Sequence, residues 1–516
     1  MSTAVTNSVE VSHDREFIKG LGLTSATMLV TGSMIGSGIF IVSADIAREV
    51  GSPALLIAAW AVTGFLTIVA ALSYGELAAM MPKVGGQYVY LRESLGPLWG
   101  FLYGWTLFAV IQTGTIAAVG VAFGKFLGVF FPVISSSHWI LGLHWAAPSY
   151  QIGPVLLGGM QVGLNTQNLM AILMVVALSV INIFGIKTGA MIQDVFTFAK
   201  VSALLGLVLV GLFIGRNAQA LAANFGANFW AGMGSLHPVQ VGASGTVVLV
   251  STLTILAVAQ VGSLFSADAW NNVTFTAGEV INPKRNLPLS LALGTGIVIS
   301  LYIGCNIIYL NVLPLIGTAD GTTILQRGIQ HATEDRVATA ALTQMFGALG
   351  GYLMAAAIMV SSFGCNNGLI LSGARVYYAM AKDGLFFREA GKLHPKYKTP
   401  AVSLMVQMVW ICILCVSGSY GQLLDYVVFA VLVFYILTIA GLFVLRRTRP
   451  DAERPYKAFG YPVLPAIYIV MAIFIDVVLL RYKPQFTWPG LIIVLLGIPV
   501  YYIWRSRPAR QQAPIA

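Results

Sequence analysis

Apolar residues run through this chain in long blocks joined by short polar segments, and the blocks have the length of membrane crossings. A transmembrane helix needs about 20 predominantly apolar residues. Twelve stretches meet that length: 20–49, 53–80, 95–131, 166–186, 190–215, 246–279, 287–314, 338–367, 400–419, 422–445, 462–481 and 486–504. The third and sixth are long enough to tilt or to include turns outside the bilayer. The pattern predicts an all-α integral membrane protein with twelve transmembrane helices and no attached soluble domain. A short helix is expected between spans 7 and 8, around 317–336.

Two blocks are interrupted. Span 1 contains Gly32-Ser33-Met34-Ile35-Gly36-Ser37-Gly38-Ile39-Phe40, and span 6 contains Leu264-Phe265-Ser266-Ala267-Asp268-Ala269-Trp270-Asn271-Asn272. Lipid offers no hydrogen-bond partners, so irregular backbone at membrane depth survives only where protein buries it or where it lines a cavity. Breaks at corresponding places in two halves point to a binding site between inverted repeats. The expected organisation is a tail at 1–19, a first repeat of spans 1–5 at 20–216, and a second of spans 6–10 at 217–445. Spans 11 and 12 follow at 446–506, and a second tail at 507–516.

Composition agrees: 57% of residues are hydrophobic and 9% charged, against about 25% charged in soluble domains. The net charge of +10 does not signal a nucleic-acid partner, because the basic residues are segregated. With the N-terminus inside, the outer segments hold only Arg48, Lys125, Arg216, Arg327, Arg336, Arg481 and Lys483, and Lys200 falls within a span. The rest lie on the inner side, as the positive-inside rule requires. This places both termini in the cytoplasm and the chain in the plasma (inner) membrane. The first 19 residues lack the apolar core of a secretory signal. The segment after Gly373, through Lys398, reads as a polar cytoplasmic connection.

The chemistry concentrates at the breaks. N–H groups at Gly36, Ser37 and Gly38 open the second half of span 1, where the helix dipole favours an anion such as a carboxylate. Ser33 and Ile35 flank that seat; the alternative is that Gly-Ser-Gly allows close helix packing. Across from it, the carbonyls of Phe265, Ser266 and Ala267 face the cavity and accept from an ammonium. Phe265 is a lid or pocket wall, or simply core. An anion seat beside carbonyls fits a zwitterion, hence an amino acid.

Asp268, a carboxylate at mid-membrane, is a functional candidate by default. It neutralises a substrate cation, takes a coupling proton, pairs with a lysine, or caps the following half-helix. Lys200 lies well inside span 5. It either snorkels, carries a proton, or takes the place of a sodium ion, bridging carbonyls of span 1 and the hydroxyls of Ser361 or Ser362. Glu76 and Glu279 end spans 2 and 6, where gates and surface ion pairs look alike. Cys305, Cys365, Cys412 and Cys415 read as small apolar fillers. No cofactor or metal motif, phosphate loop or nucleophile elbow is present, which disfavours an enzyme.

Three separated motifs carry a resemblance. The span 1 run, Ser73-Tyr74-Gly75-Glu76-Leu77 with Met81-Pro82-Lys83-Val84-Gly85-Gly86-Gln87-Tyr88, and Gly278-Glu279-Val280-Ile281-Asn282-Pro283-Lys284-Arg285-Asn286-Leu287-Pro288 resemble the amino acid–polyamine–organocation superfamily. The likeness is especially to its L-type amino-acid transporter branch. The resemblance implies the leucine-transporter fold, a 5+5 inverted repeat with broken helices 1 and 6, and alternating access. It also implies that the span 1 break holds the substrate carboxylate, that the span 6 carbonyls hold its amine, and that Phe265 is an aromatic gate. Lys200 then replaces a sodium ion, so transport is sodium-independent. Many L-type relatives have glycines where this chain has Asp268 and Ala269, which opens cationic amino acids, amines or proton coupling. Residues 132–165 hold no cysteine, so no disulfide-linked heavy chain is expected.

Overall fold

The computed structural model describes residues 17–505 except 147–149, 153–154, 158–160, 242–245 and 418–419. The tail at 507–516, and all but three residues of that at 1–19, lie outside the described residues. The chain opens with two half-helices, α1 (Leu23–Met34) and α2 (Gly38–Val50), followed by α3 (Pro53–Met80) and the short α4 (Gln87–Leu95). The next crossing is α5 (Pro97–Thr106) continued by α6 (Gln112–Leu127), with one π-helical turn at Leu107–Ile111 between them. α7 (Thr166–Ile183), α8 (Ile186–Phe213) and the short α9 (Ala218–Asn224) complete the first half.

The second half begins with α10 (Thr252–Val258) and α11 (Gln260–Ser266), then an unwound stretch and the single turn α12 (Asn272–Phe275). It continues with α13 (Pro283–Val312), the short α14 (Ile324–Arg327), α15 (Val337–Lys382), α16 (Ala401–Ser417) and α17 (Tyr420–Thr448). α18 (Val463–Tyr482) and α19 (Pro484–Arg505) close the chain. Among the described residues ten helical segments are long and apolar enough to cross a membrane, and two shorter apolar helices, Thr252–Ser266 and Ala401–Val416, stand at the sixth and ninth predicted spans.

Three boundaries differ from the sequence reading. The predicted sixth span starts too early: Thr246–Val250 pairs with His237–Val241 as an antiparallel hairpin. A Thr-Val-Val-Leu-Val run is apolar enough to extend a span on hydropathy, yet its β-branched residues suit a strand. The predicted eighth span is displaced, because α15 runs 46 residues and bends at Gly347, where φ is +64°. The helix therefore continues to Lys382, and Arg375, assigned to a polar connection, is 1% exposed inside the bundle. Between spans 7 and 8 the expected helix is reduced to α14 and a 3₁₀ turn at Thr333–Asp335. The 132–165 segment also forms strands, Trp139–Ala146 pairing with Gln161–Asn165.

Small residues let the helices close up, as membrane helices require when lipid is as apolar as leucine. α3 lies along α13, with Gly64 so close to Ile299 that a methyl there would meet its Cγ2 at 2.5 Å. Gly294 of α13 likewise receives Val30 of α1.

One end of the bundle is tied by two buried carboxylates. Glu76, fully buried at the end of α3, accepts from Arg446 Nε (2.9 Å) and Nη2 (2.6 Å) and from the Ala458 N–H (2.7 Å). Arg454 stands 3.2 Å from the same carboxylate, so the α17–α18 connection folds back onto α3. Glu279 and Arg375, both 1% exposed, form a two-point pair at 3.1 and 3.0 Å. The Glu279 carbonyl also accepts the Gly20 and Leu21 N–H groups, stitching the start of the chain to the segment after α12. On α4, partial burial opposes the charge of Glu93, but Arg449 and Arg92 outweigh it and hold the carboxyl below its usual range.

Removing one partner of a buried ion pair leaves an uncompensated charge. Glu76→Ala should lower stability by roughly 3 kcal/mol, the low end for such pairs, because the Arg446 side chain keeps 23% exposure. A melting curve of the detergent-purified variant reads this directly.

Candidate functional site

The first break falls where the glycines placed it, between Met34 and Gly38. Ile35 leaves helical geometry at φ −77°, ψ 88°, and the ladder resumes in α2. An interrupted helix exposes carbonyls that would each cost a few kcal/mol at membrane depth. Side chains from three other helices take them up. Lys200 of α8 donates to Gly32 O (2.6 Å) and Ile35 O (2.8 Å). Tyr302 of α13 reaches Met34 O at 3.0 Å. From α15, Ser361 Oγ lies 3.1 Å from both Ile35 O and Gly36 O, and Cys365 Sγ lies 3.0 Å from Ser33 O.

Lys200 thus meets span 1 through carbonyls, as expected. Its contact with Ser361 is also to a carbonyl, at 3.4 Å, because the hydroxyl is turned to the break. The Ser362 hydroxyl is buried with no hydrogen-bond partner among the described residues. The Ser33 hydroxyl faces α15, where a methyl at Gly368 would come within 2.7 Å of it. Of the three N–H groups expected to meet an anion, that of Gly36 is engaged by Met34 O at 2.9 Å. Gly38 opens α2, and Ser37 beside it is fully buried.

The second break begins after Ser266. Phe265 O accepts the Asp268 N–H at 3.2 Å, and Ser266 O accepts from Tyr302 Oη at 3.1 Å. One phenol therefore spans both breaks. The two segments also touch, since a methyl at Gly38 would lie 2.2 Å from Ser266 Oγ and 3.1 Å from its Cα. Phe265 is 6% exposed, packed into the core. Ala269 holds φ +65°, a left-handed conformation that costs an L-residue roughly 1–2 kcal/mol. Glycine would adopt it without that cost, and such strain collects at functional sites.

Asp268 points elsewhere. Its Oδ1 accepts from Tyr435 Oη of α17 at 2.6 Å. It lies between two narrow cavities whose walls include no residue of the span 1 break. One is mostly apolar, bounded by α3, α17 and Tyr468 of α18. The other has a mixed wall, with Gln87, Gln112, Thr115, Asn271 and Asn272 beside apolar residues, and has room for about a single water. The π-helical turn of the third crossing contributes Leu107 and Ile111 to that wall. Asn271 donates to Gln87 Oε1 at 2.7 Å, joining the second break to α4.

The structure thus gathers Lys200, Ser361 and Tyr302 around the span 1 break, joins Ser266 to it through Tyr302, and sets Asp268 apart with Tyr435. Tyr302, Tyr435 and Arg375 were not singled out from the sequence, and Cys365, read there as an apolar filler, donates to Ser33 O. A polar-tipped aromatic in a mid-span run, as in Leu301-Tyr302-Ile303, was the one available signal for Tyr302.

A polytopic helical bundle with two interrupted helices meeting at its centre is the architecture of a membrane carrier. The profile of the amino acid permease family matches residues 21–502, and the chain belongs to that family, among its L-type-like members. It is 29% identical over 500 residues to the serine/threonine exchanger SteT of Bacillus subtilis, covering 96% of this chain and 99% of that protein. Human large neutral amino acids transporter small subunit 2 is 27% identical over 498 residues, covering 95% and 82% respectively. Human b(0,+)-type amino acid transporter 1 is 27% identical over 492 residues, covering 94% and 88%.

Tyr302→Phe removes the hydroxyl shared by Met34 O and Ser266 O; Met34 O keeps the Gly36 N–H, while Ser266 O loses its donor. A lost buried hydrogen bond costs about 1–3 kcal/mol, so the variant should melt earlier and bind solute more weakly. A melting curve with and without amino acid measures both.

Proposed function

We propose that the protein is a sodium-independent secondary carrier of amino acids, neutral L-amino acids foremost, working by alternating access as an exchanger or proton-linked carrier. The observation that carries this reading is the occupation of the span 1 carbonyls by Lys200, Tyr302, Ser361 and Cys365. With the acceptors of the break taken, its remaining polarity is the N-terminal, positive end of α2, which suits the substrate carboxylate. An ammonium already bonded to Gly32 O and Ile35 O fills the position a coupling cation would need.

The substrate amine is assigned to the carbonyls of the second break, with Phe265 as its aromatic wall. Spans 1–5 and 6–10 act as the inverted repeats of the leucine-transporter fold, twelve helices in all, and the contact of Gly38 with Ser266 supports that pairing of breaks. Both termini are assigned to the cytoplasm and the chain to the plasma (inner) membrane. It works without a disulfide-linked heavy chain and is not an enzyme. Relatives named as a serine/threonine exchanger and a large neutral amino acids transporter support a neutral substrate.

A second reading rests on one observation. Asp268 and Tyr435 face a small cavity walled in part by Gln87 and Asn271, which suits a coupling proton as it stands and a substrate side chain bearing a cation once the cavity widens. That reading is a proton-coupled carrier of cationic amino acids or polyamines.

A ligand at 100 times its Kd stabilises the folded state by about 2.7 kcal/mol. Neutral amino acids should therefore raise the melting temperature of the purified protein when twenty amino acids and several polyamines are compared at two pH values. Stabilisation by arginine, lysine or polyamines alone would replace the first reading with the second. Uptake into proteoliposomes should be unchanged when choline replaces sodium, and Lys200→Ala should abolish it in both salts. Normal uptake by a folded Lys200→Ala protein would remove the lysine from the mechanism.

A further inference from the structure

Away from the two breaks, α6, α8 and α15 leave an open groove of about 460 Å³ on the flank of the bundle, within the size range of ligand pockets. Its wall is apolar and mostly aromatic: Phe123 and Phe130 from α6 and the residues after it, Phe196 from α8, and Ala356, Met359 and Phe363 from α15. All three helices are long, apolar crossings, so the groove opens into lipid hydrocarbon. It starts where α6 ends and descends along α15 from Ala356 to Phe363, about 10 Å of axis at 1.5 Å per residue. That depth is most of one leaflet, whose hydrocarbon is about 15 Å thick.

We infer that this groove is a binding site for one acyl chain of a membrane phospholipid. A zwitterionic solute is excluded, because the wall offers it no hydrogen-bond partners and stripping its charges of water is costly. Hydrocarbon gains no hydrophobic energy by leaving the bilayer for an equally apolar groove. What holds it is close dispersion contact with the ring faces, so retention depends on shape and chain length.

The groove is also one side chain from the carrier machinery. Phe196 and Phe363 both line it, with ring centres 5.0 Å apart. Immediately behind them, a methyl at Gly364 would meet Phe196 Cβ at 2.7 Å and Lys200 Nζ at 3.5 Å. A chain in the groove presses on the ring pair that backs the lysine holding span 1. The site goes beyond the proposed transport function and stands whether the substrate is neutral or cationic.

The test uses the full-length protein in detergent, incubated with dioleoyl phosphatidylethanolamine and examined by native mass spectrometry. One lipid should stay bound per protein. Ala356→Trp, which puts a ring into the groove, should lower the retained fraction about tenfold, a loss of about 1.4 kcal/mol. Dihexanoyl phosphatidylethanolamine, with the same headgroup and short chains, should not be retained. Equal retention by the wild type and the tryptophan variant overturns the site, and equal retention of the two lipids overturns the acyl chain as its ligand. If Ala356→Trp does not fold, Met359→Trp on the same wall decides the matter by the same readout. Melting curves with amino acid on the same samples keep the two questions apart: a variant that loses lipid but is still stabilised by substrate has an intact transport site.

Discussion

An interrupted helix in a bilayer leaves polar backbone where water cannot reach it, and much of this structure answers that constraint. The carbonyls freed between Gly32 and Gly36 are not abandoned to the cavity. An ammonium, a phenol, a hydroxyl and a thiol reach them from α8, α13 and α15. Each donor comes from a different position in the chain, so the break is stable only when the surrounding helices are in place. The break is therefore a product of the whole bundle.

That arrangement also creates asymmetry. Donors crowd the carbonyl side of the break, while the N-terminus of α2 is left as its positive pole. Tyr302 then links this segment to the second one by touching Met34 O and Ser266 O together, and Gly38 has no side chain because Ser266 occupies the space. Movement of either unwound segment must disturb the other. Under the proposed alternating access, in which one repeat rocks against the other around a fixed site, this link joins the two unwound segments. The buried Glu279–Arg375 pair and the backbone bonds from Gly20 and Leu21 to Glu279 tie α12, α15 and the start of the chain at one end of the bundle.

Asp268 was open to four roles on sequence, and the structure shows which group it meets. A mid-membrane carboxylate is costly, so its sequence position flagged it for function. Its neighbours along the chain left open a substrate cation, a coupling proton, a lysine or a helix cap as its partner. The local backbone turns it toward Tyr435 instead, with Ala269 adopting a left-handed conformation to complete the bend. The carboxylate and the Lys200 ammonium consequently serve different parts of the site.

What the sequence determined by itself was everything that depends on local composition. Blocks of about 20 apolar residues must be helical in lipid, and Gly36-Ser37-Gly38 and Ser266-Ala267-Asp268 must interrupt them. A lysine well inside an apolar run must find acceptors. These are properties of short segments, so the ordering of crossings, both breaks and the carbonyl ligands of Lys200 were legible. Tertiary structure alone decided which remote donors meet those carbonyls, where Asp268 points, and that Arg375 is buried against Glu279 far along the chain. It also decided that Thr246–Val250 is a strand and that α15 bends at Gly347, because an apolar run does not specify its partner. Hydropathy measures the affinity of a segment for lipid; hydrogen bonds between segments distant in sequence are set only when the helices pack.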